Sequence, residues 1–142
     1  MSHLSPFAVV HIAPPTDRGW WTHPTHHALE DLLDQVREVH GIAPDGFHFL
    51  GVLEGSAPAT TYSRMSSKYC KSLTTLCGTS FIDQDASDLR RFRDLPVHQV
   101  SATRNDFLHA QATDAHQRLR ALGVQATLHT VEGDPASLPS LR

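Results

Sequence analysis

Short, β-branched apolar runs alternate along this chain with stretches of helical periodicity, and that alternation narrows the fold more than any other feature. "FAVVHIA" (7–13) is closed by Pro14 and Pro15 and reads as a buried strand. In "HHALEDLLDQVREVHG" (26–41), Leu29, Leu32, Leu33, Val36 and Val39 fall at helical spacing, and Gly41 is placed to end the helix. "APDG" (43–46) is a turn, and "FHFLGV" (47–52) is the second strand. Residues 55–70 are rich in Ser and Thr and predict a weak helix. "SLTTLCG" (72–78), "PVHQVSA" (96–102) and "QATLHTVEG" (125–133) read as three more strands. Between them lie a loop with a short helix (81–95) and a helix whose Leu108, Ala112, Ala115, Leu119 and Leu122 share a face ahead of Gly123. Strands separated by helices imply a parallel sheet with right-handed crossovers. The expected fold is α/β: a three-layer αβα sandwich around a mainly parallel sheet of about five strands. Sites in such sheets form at the carboxyl ends of strands, here loops 14–26, 52–56, 79–88, 103–108 and 132–137.

At 142 residues the chain fits one domain, 1–142, with a Pro- and Ser-rich tail over 134–142 expected to be flexible. No apolar run is long enough to cross a bilayer, so no membrane is expected. The N-terminus has neither a basic segment nor a long apolar one, so no signal peptide is read. Cys70 and Cys77 lack metal or CxxC spacing and read as reduced thiols of a cytoplasmic protein. A formal charge of −3 gives no reason to expect nucleic acid. The 11 histidines make charge, and with it solubility and association, sensitive to pH.

"FLGVLEGSA" (49–57) places Gly51 and Gly55 in the glycine frame of a nucleophile elbow, where a strand turns sharply into a helix. Three segments, one of them containing the elbow, carry the wider pattern. These are "VVHIAPPTDRGWW", "GIAPDGFHFLGVLEGSA" with its Gly-Ile-x-Pro-Asp opening, and "LPVHQVSATRNDFLHAQA". With "RLRALGVQATLHTVEG" they resemble, in order and spacing, the C-terminal two thirds of an α/β-hydrolase. The likeness is to the small serine esterase branch of carboxylesterases and phospholipase-like enzymes, and it runs over residues 7–134.

The resemblance implies an N-terminally shortened α/β-hydrolase fold with a degenerate catalytic triad. It puts the nucleophile at Leu53, which has no group to attack a carbonyl. It puts the acid at Asn105, or at Asp106 with a one-residue shift. It puts the histidine near Gly133, where Asp134 and Pro135 stand and no histidine follows His129. It also implies that a strand and loop supplying an oxyanion-hole donor would precede residue 1. Esterase chemistry is therefore expected to be absent. The glycines would persist because the elbow needs close strand–helix approach, and Leu53 would fill the space where substrate once entered.

Other residues remain candidates. Ser56 and Ser101 are fallback nucleophiles, with His48, His98, His109 or His129 as base. His23, His26 and His27 form a weak metal candidate; no cofactor is expected. Trp20, Trp21 and Glu54 are candidates for a ligand or interface. Arg90, Arg91 and Arg93 beside Asp88 and Asp94 read as a salt-bridged surface. The function expected is a pseudo-esterase acting as a binding or assembly module, with a small-molecule ligand as one option. The alternative is a small-ester hydrolase with a substitute nucleophile. "FAVVHIA" as an unprotected edge predicts a homo-oligomer, or a partner chain completing the sheet, with association weakening below about pH 6.

Overall fold

In a computed structural model, the described residues are 10, 12, 23–78, 81 and 84–133, with the side chains of 23 and 24 left out. Four strands are present among them: β1 (Phe47–Val52), β2 (Cys70–Leu76), β3 (Val97–Ala102) and β4 (Ala126–Val131). They form one sheet in the order β1-β2-β3-β4, and every pair is parallel. The first expected strand, 7–13, lies outside the described residues except for Val10 and Ile12. The helices are α1 (His23–His40), α2 (Ser56–Met65), α3 (Ala86–Arg90) and α4 (Asp106–Ala121).

Local sequence explains most boundaries. Gly41 and Gly123 take φ of 63° and 81°, so each ends its helix in the left-handed region that favours glycine. Asp85 and Asn105 cap α3 and α4 by accepting the backbone N–H of Asp88 and Leu108. The Ser/Thr-rich segment makes a broken helix: α2 is flanked by 3-10 turns at Leu53–Gly55 and Ser67–Tyr69.

Successive parallel strands step one place in a constant direction, so same-handed crossovers place α2, α3 and α4 on one face. Register decides which residues meet them. Phe49, Leu73, Val97 and Ala126 are aligned across the four strands. They pack with Leu89, Phe92, Ala115 and Leu119 into the main core, each large apolar side chain contributing about 1.5–3 kcal/mol. A second cluster joins Leu29 and Leu33 of α1 to Tyr62 and Tyr69, against Phe47 and Phe49. The described elements thus supply the sheet and one helical layer. The other face carries Leu50 (57% exposed) and Val52 (39%), with His48, Thr127 and His129 also exposed. Val39 departs from the periodic expectation: it is 76% exposed, beyond the stretch of α1 that Leu29 and Leu33 anchor. No described helix is long and apolar enough to cross a membrane.

Candidate functional site

The turn from β1 into α2 is an elbow in backbone geometry. Val52 is still extended, at φ −118° and ψ 127°. Leu53 then adopts φ 50°, which a non-glycine residue holds at a cost of about 1–3 kcal/mol. Close packing on both sides over-determines that conformation. A Cβ on Gly51 would stand 2.5 Å from Ser56 Cα and 2.6 Å from the Gly55 carbonyl oxygen. A Cβ on Gly78, at the end of β2, would collide with the Ser56 side chain and the Leu53 carbonyl. Gly78 was not legible as part of the elbow, because the contact joins segments more than twenty residues apart.

Two expectations about the elbow are corrected. Gly55 is not pinched: it sits at φ −72° and ψ −9°, and a Cβ there would meet nothing within 4 Å. Leu53 does not plug a substrate space either. It is 42% exposed at the apex, because the positive φ turns it outward from the crossing. Glu54 beside it is exposed as well.

The neighbouring hydroxyl is sealed. Ser56 is 0% exposed, and its Oγ donates to the Gly51 carbonyl at 3.2 Å. That geometry corrects its place as a fallback nucleophile, since neither substrate nor a base reaches the oxygen. Cys77 also has a positive φ, 53°, but burial raises its thiol pKa, which keeps it protonated and unreactive.

At the position of the acid, the Asn105 side chain is committed to the helix, accepting the Leu108 N–H at 3.0 Å. Asp106 is exposed in the first turn of α4. This loop is tied to the end of β4, because Thr103 N–H donates to the Val131 carbonyl and Arg104 N–H to that of Gly133, each at 3.0 Å. The ends of β3 and β4 are therefore adjacent, as an acid loop and a histidine loop would have to be. Asp134 and Pro135 lie outside the described residues, as do Trp20 and Trp21.

Among the described residues, His48, His98, His109 and His26 each reach a hydroxyl. His48 Nδ1 lies 2.5 Å from Ser72 Oγ, and His98 Nδ1 lies 2.8 Å from Thr127 Oγ1. His109 Nδ1 lies 3.0 Å from Ser101 Oγ, a pairing that fits the fallback of Ser101 as nucleophile. However, Ser101 is 1% exposed, and among the described residues no carboxylate pairs with His109. The fourth was not expected: His26 Nε2 lies 3.0 Å from Ser66 Oγ and 3.3 Å from Glu30 Oε1. Ser66 Oγ donates to that same Glu30 oxygen at 3.0 Å. One nitrogen facing both serine and acid must itself donate, so it cannot take the serine proton as a triad base does. This network fastens α1 to the end of α2. Only its i,i+4 His26/Glu30 spacing was visible in sequence.

Among the described residues, no group of three or more His, Cys, Asp or Glu could hold a metal. His26 is engaged as above and stacks on Tyr62 at 5.7 Å. The basic cluster is also corrected in part, since Asp88 pairs with Arg64 of α2 at 2.5 Å, the side chain that packing brings to it. Both cysteines are buried and free, and burial pushes the Cys70 thiol up to about 12.

No protein-family model matches the sequence, and no curated protein matches it. Solved structures do match. The chain superimposes on the enterobactin esterase from Shigella flexneri with a TM-score of 0.66 at 12% identity, over 83% of this chain and 35% of that one. For a ferulic acid esterase the TM-score is 0.62 at 15% identity, over 82% and 55%. For a thermostable esterase it is 0.61 at 16% identity, over 75% and 28%. The chain spans between 28% and 55% of the length of these proteins. Its fold is α/β-hydrolase-like.

Proposed function

We propose that the chain is a non-catalytic homologue of the α/β-hydrolases, serving as a binding or assembly module. The observation that carries this reading is the elbow. Its strained backbone and pinched Gly51 are kept, yet Leu53 stands at the apex with no nucleophilic atom. Strain of that kind persists only where packing needs the turn. Asn105 supports the reading further, since its side chain serves as a helix cap. The exposed Leu50 and Val52 on the sheet face, with Leu53 exposed at the elbow beside them, favour assembly, because clustered apolar side chains mark interaction surfaces. A cytoplasmic homo-oligomer, or a partner chain completing the sheet at the expected edge strand "FAVVHIA", is the form proposed, with Trp20 and Trp21 contributing to its contact.

The test is hydrolysis of short p-nitrophenyl esters by purified protein. No rate above a buffer blank is expected, and Leu53→Ser alone is expected to restore none, because the position expected for the base, near Gly133, carries no histidine. The second reading is a hydrolase using Ser101, favoured by its 3.0 Å contact with His109. A rate abolished by Ser101→Ala or His109→Ala would establish that reading and overturn the first. Light scattering tests assembly, with a single 15.7 kDa species being the result that sinks it.

A further inference from the structure

β4 ends the sheet, and among the described residues no strand pairs with its outer side. Two hydrogen bonds fix the direction of its backbone groups. Val97 N–H donates to the Gln125 carbonyl at 2.9 Å, and Thr103 N–H to the Val131 carbonyl at 3.0 Å. Bonding residues alternate along a strand, so residues 125, 127, 129 and 131 face β3. The N–H and C=O groups of Ala126, Leu128 and Thr130 therefore point away from the sheet. Natural edges of this kind are blunted by a Lys, a Pro, a bulge or an inward charge. Ala126–Val131 has no charged residue and no Pro, and its register with β3 runs without a shift, unlike that of β1 with β2.

That edge is complementary to a second copy of itself. In an antiparallel pair, residues facing each other through hydrogen bonds exchange two of them. A two-fold axis perpendicular to the sheet at Leu128 sets Leu128 opposite Leu128 of the second copy, and Ala126 opposite its Thr130. The pairs so formed use every outward N–H and C=O of both strands. Moving the axis to His129 would set Ala126 against Glu132, which lies past the end of β4, and leave Ala126 unpaired. On the helical side, Leu119 of α4 joins Val97 and Ala126 in one cluster, so α4 lies over β3 and β4 together. Strand spacing then puts α4 and its mate roughly 10 Å apart, the distance at which helices pack. Gln111 and Arg118 of α4 face Phe81 and Gly78, on the side of β2. The opposite flank, with Thr113, His116 and Arg120, turns toward the edge. Two such flanks widen a contact that a strand edge alone would leave short of the about 800 Å² per partner of a stable interface.

We propose that two copies of this chain join through β4, antiparallel about Leu128, so that their sheets become continuous. The inference rests on the assembly reading and deepens it by naming the surface, at the edge opposite β1. It does not depend on whether the elbow is catalytic.

The test uses the full chain and light scattering after size exclusion. A mass twice 15.7 kDa is expected. Thr130→Pro removes an outward N–H that the chain's own sheet does not use, so this variant is expected to be folded and monomeric. Leu128→Cys is expected to form a disulfide between copies on mild oxidation, since residues in such a pair have Cα atoms about 5.5 Å apart. Thr130→Cys should form none, because the two copies of that position lie about four residues apart along the strands. Cys70 and Cys77 are buried and do not compete. If Thr130→Pro unfolds, the two cysteine variants decide. A dimer that persists in folded Thr130→Pro, or that crosslinks no better through Leu128→Cys than through Thr130→Cys, overturns this interface and leaves assembly elsewhere. A single 15.7 kDa species overturns the interface and the assembly reading together.

Discussion

Adding one methyl group at each of two elbow glycines should move stability in opposite directions. At Gly51 an alanine Cβ would stand 2.5 Å from Ser56 Cα, 2.6 Å from Gly55 O and 2.8 Å from Ala59 Cβ. Two of those atoms are backbone, so no side-chain rotation relieves the overlap. Overpacking of that kind typically costs about 1–3 kcal/mol. At Gly55 the same Cβ meets nothing within 4 Å. The backbone there, at φ −72° and ψ −9°, is one alanine adopts freely. Gly55→Ala should then be neutral or stabilise by about 0.4–1 kcal/mol, through lost freedom in the unfolded chain. Urea midpoints with a common slope, together with thermal midpoints, read the difference, at roughly 2–4 °C per kcal/mol for a chain of this size. Gly78→Ala gives an independent reading of the same crossing. Its Cβ would collide with the Ser56 side chain, so Ser56→Ala should recover part of the loss, which a double-mutant cycle measures. Equal midpoints for Gly51→Ala and Gly55→Ala would refute the pinched crossing, and with it the physical reason for keeping the turn.

Leu53 at φ 50° should be better served by glycine. Leu53→Gly is expected to raise stability by about 1 kcal/mol, seen as a higher urea midpoint, with a drop showing that its packing outweighs the strain. Asn105→Ala should cost about 1 kcal/mol through loss of the α4 cap, whereas Asn105→Asp keeps the cap and should unfold at an unchanged midpoint. Cys70 should resist aromatic disulfide reagents at pH 8 until the protein unfolds, since burial holds its pKa near 12. Because the folded state keeps a proton that the unfolded thiol gives up, the Cys70 contribution is intact below pH 9.0 and is lost as pH rises toward about 12. The raised Tyr62 and Tyr69 act in the same sense. Stability rising over that alkaline window would contradict the burial.

What the sequence by itself determined is local. The turn before Phe47 and the apolar run after it define β1 at 47–52. Gly41 and Gly123 end their helices at the positions their neighbours' periodicity calls for. The alternation of strands with helices was enough for a parallel α/β sheet. Each of these depends on residues within a few places of one another, so the chain carries the signal in one dimension. The tertiary structure alone decided that Gly78 closes the elbow while Gly55 stands free. It also decided that Ser56 is sealed and Leu53 turned outward, and that Ser66, far along the chain, completes a network with His26 and Glu30. Contacts between distant segments are fixed by how elements cross and which faces they cover. Those crossings are set by side-chain volume and register summed over the whole core, which no single stretch of sequence contains.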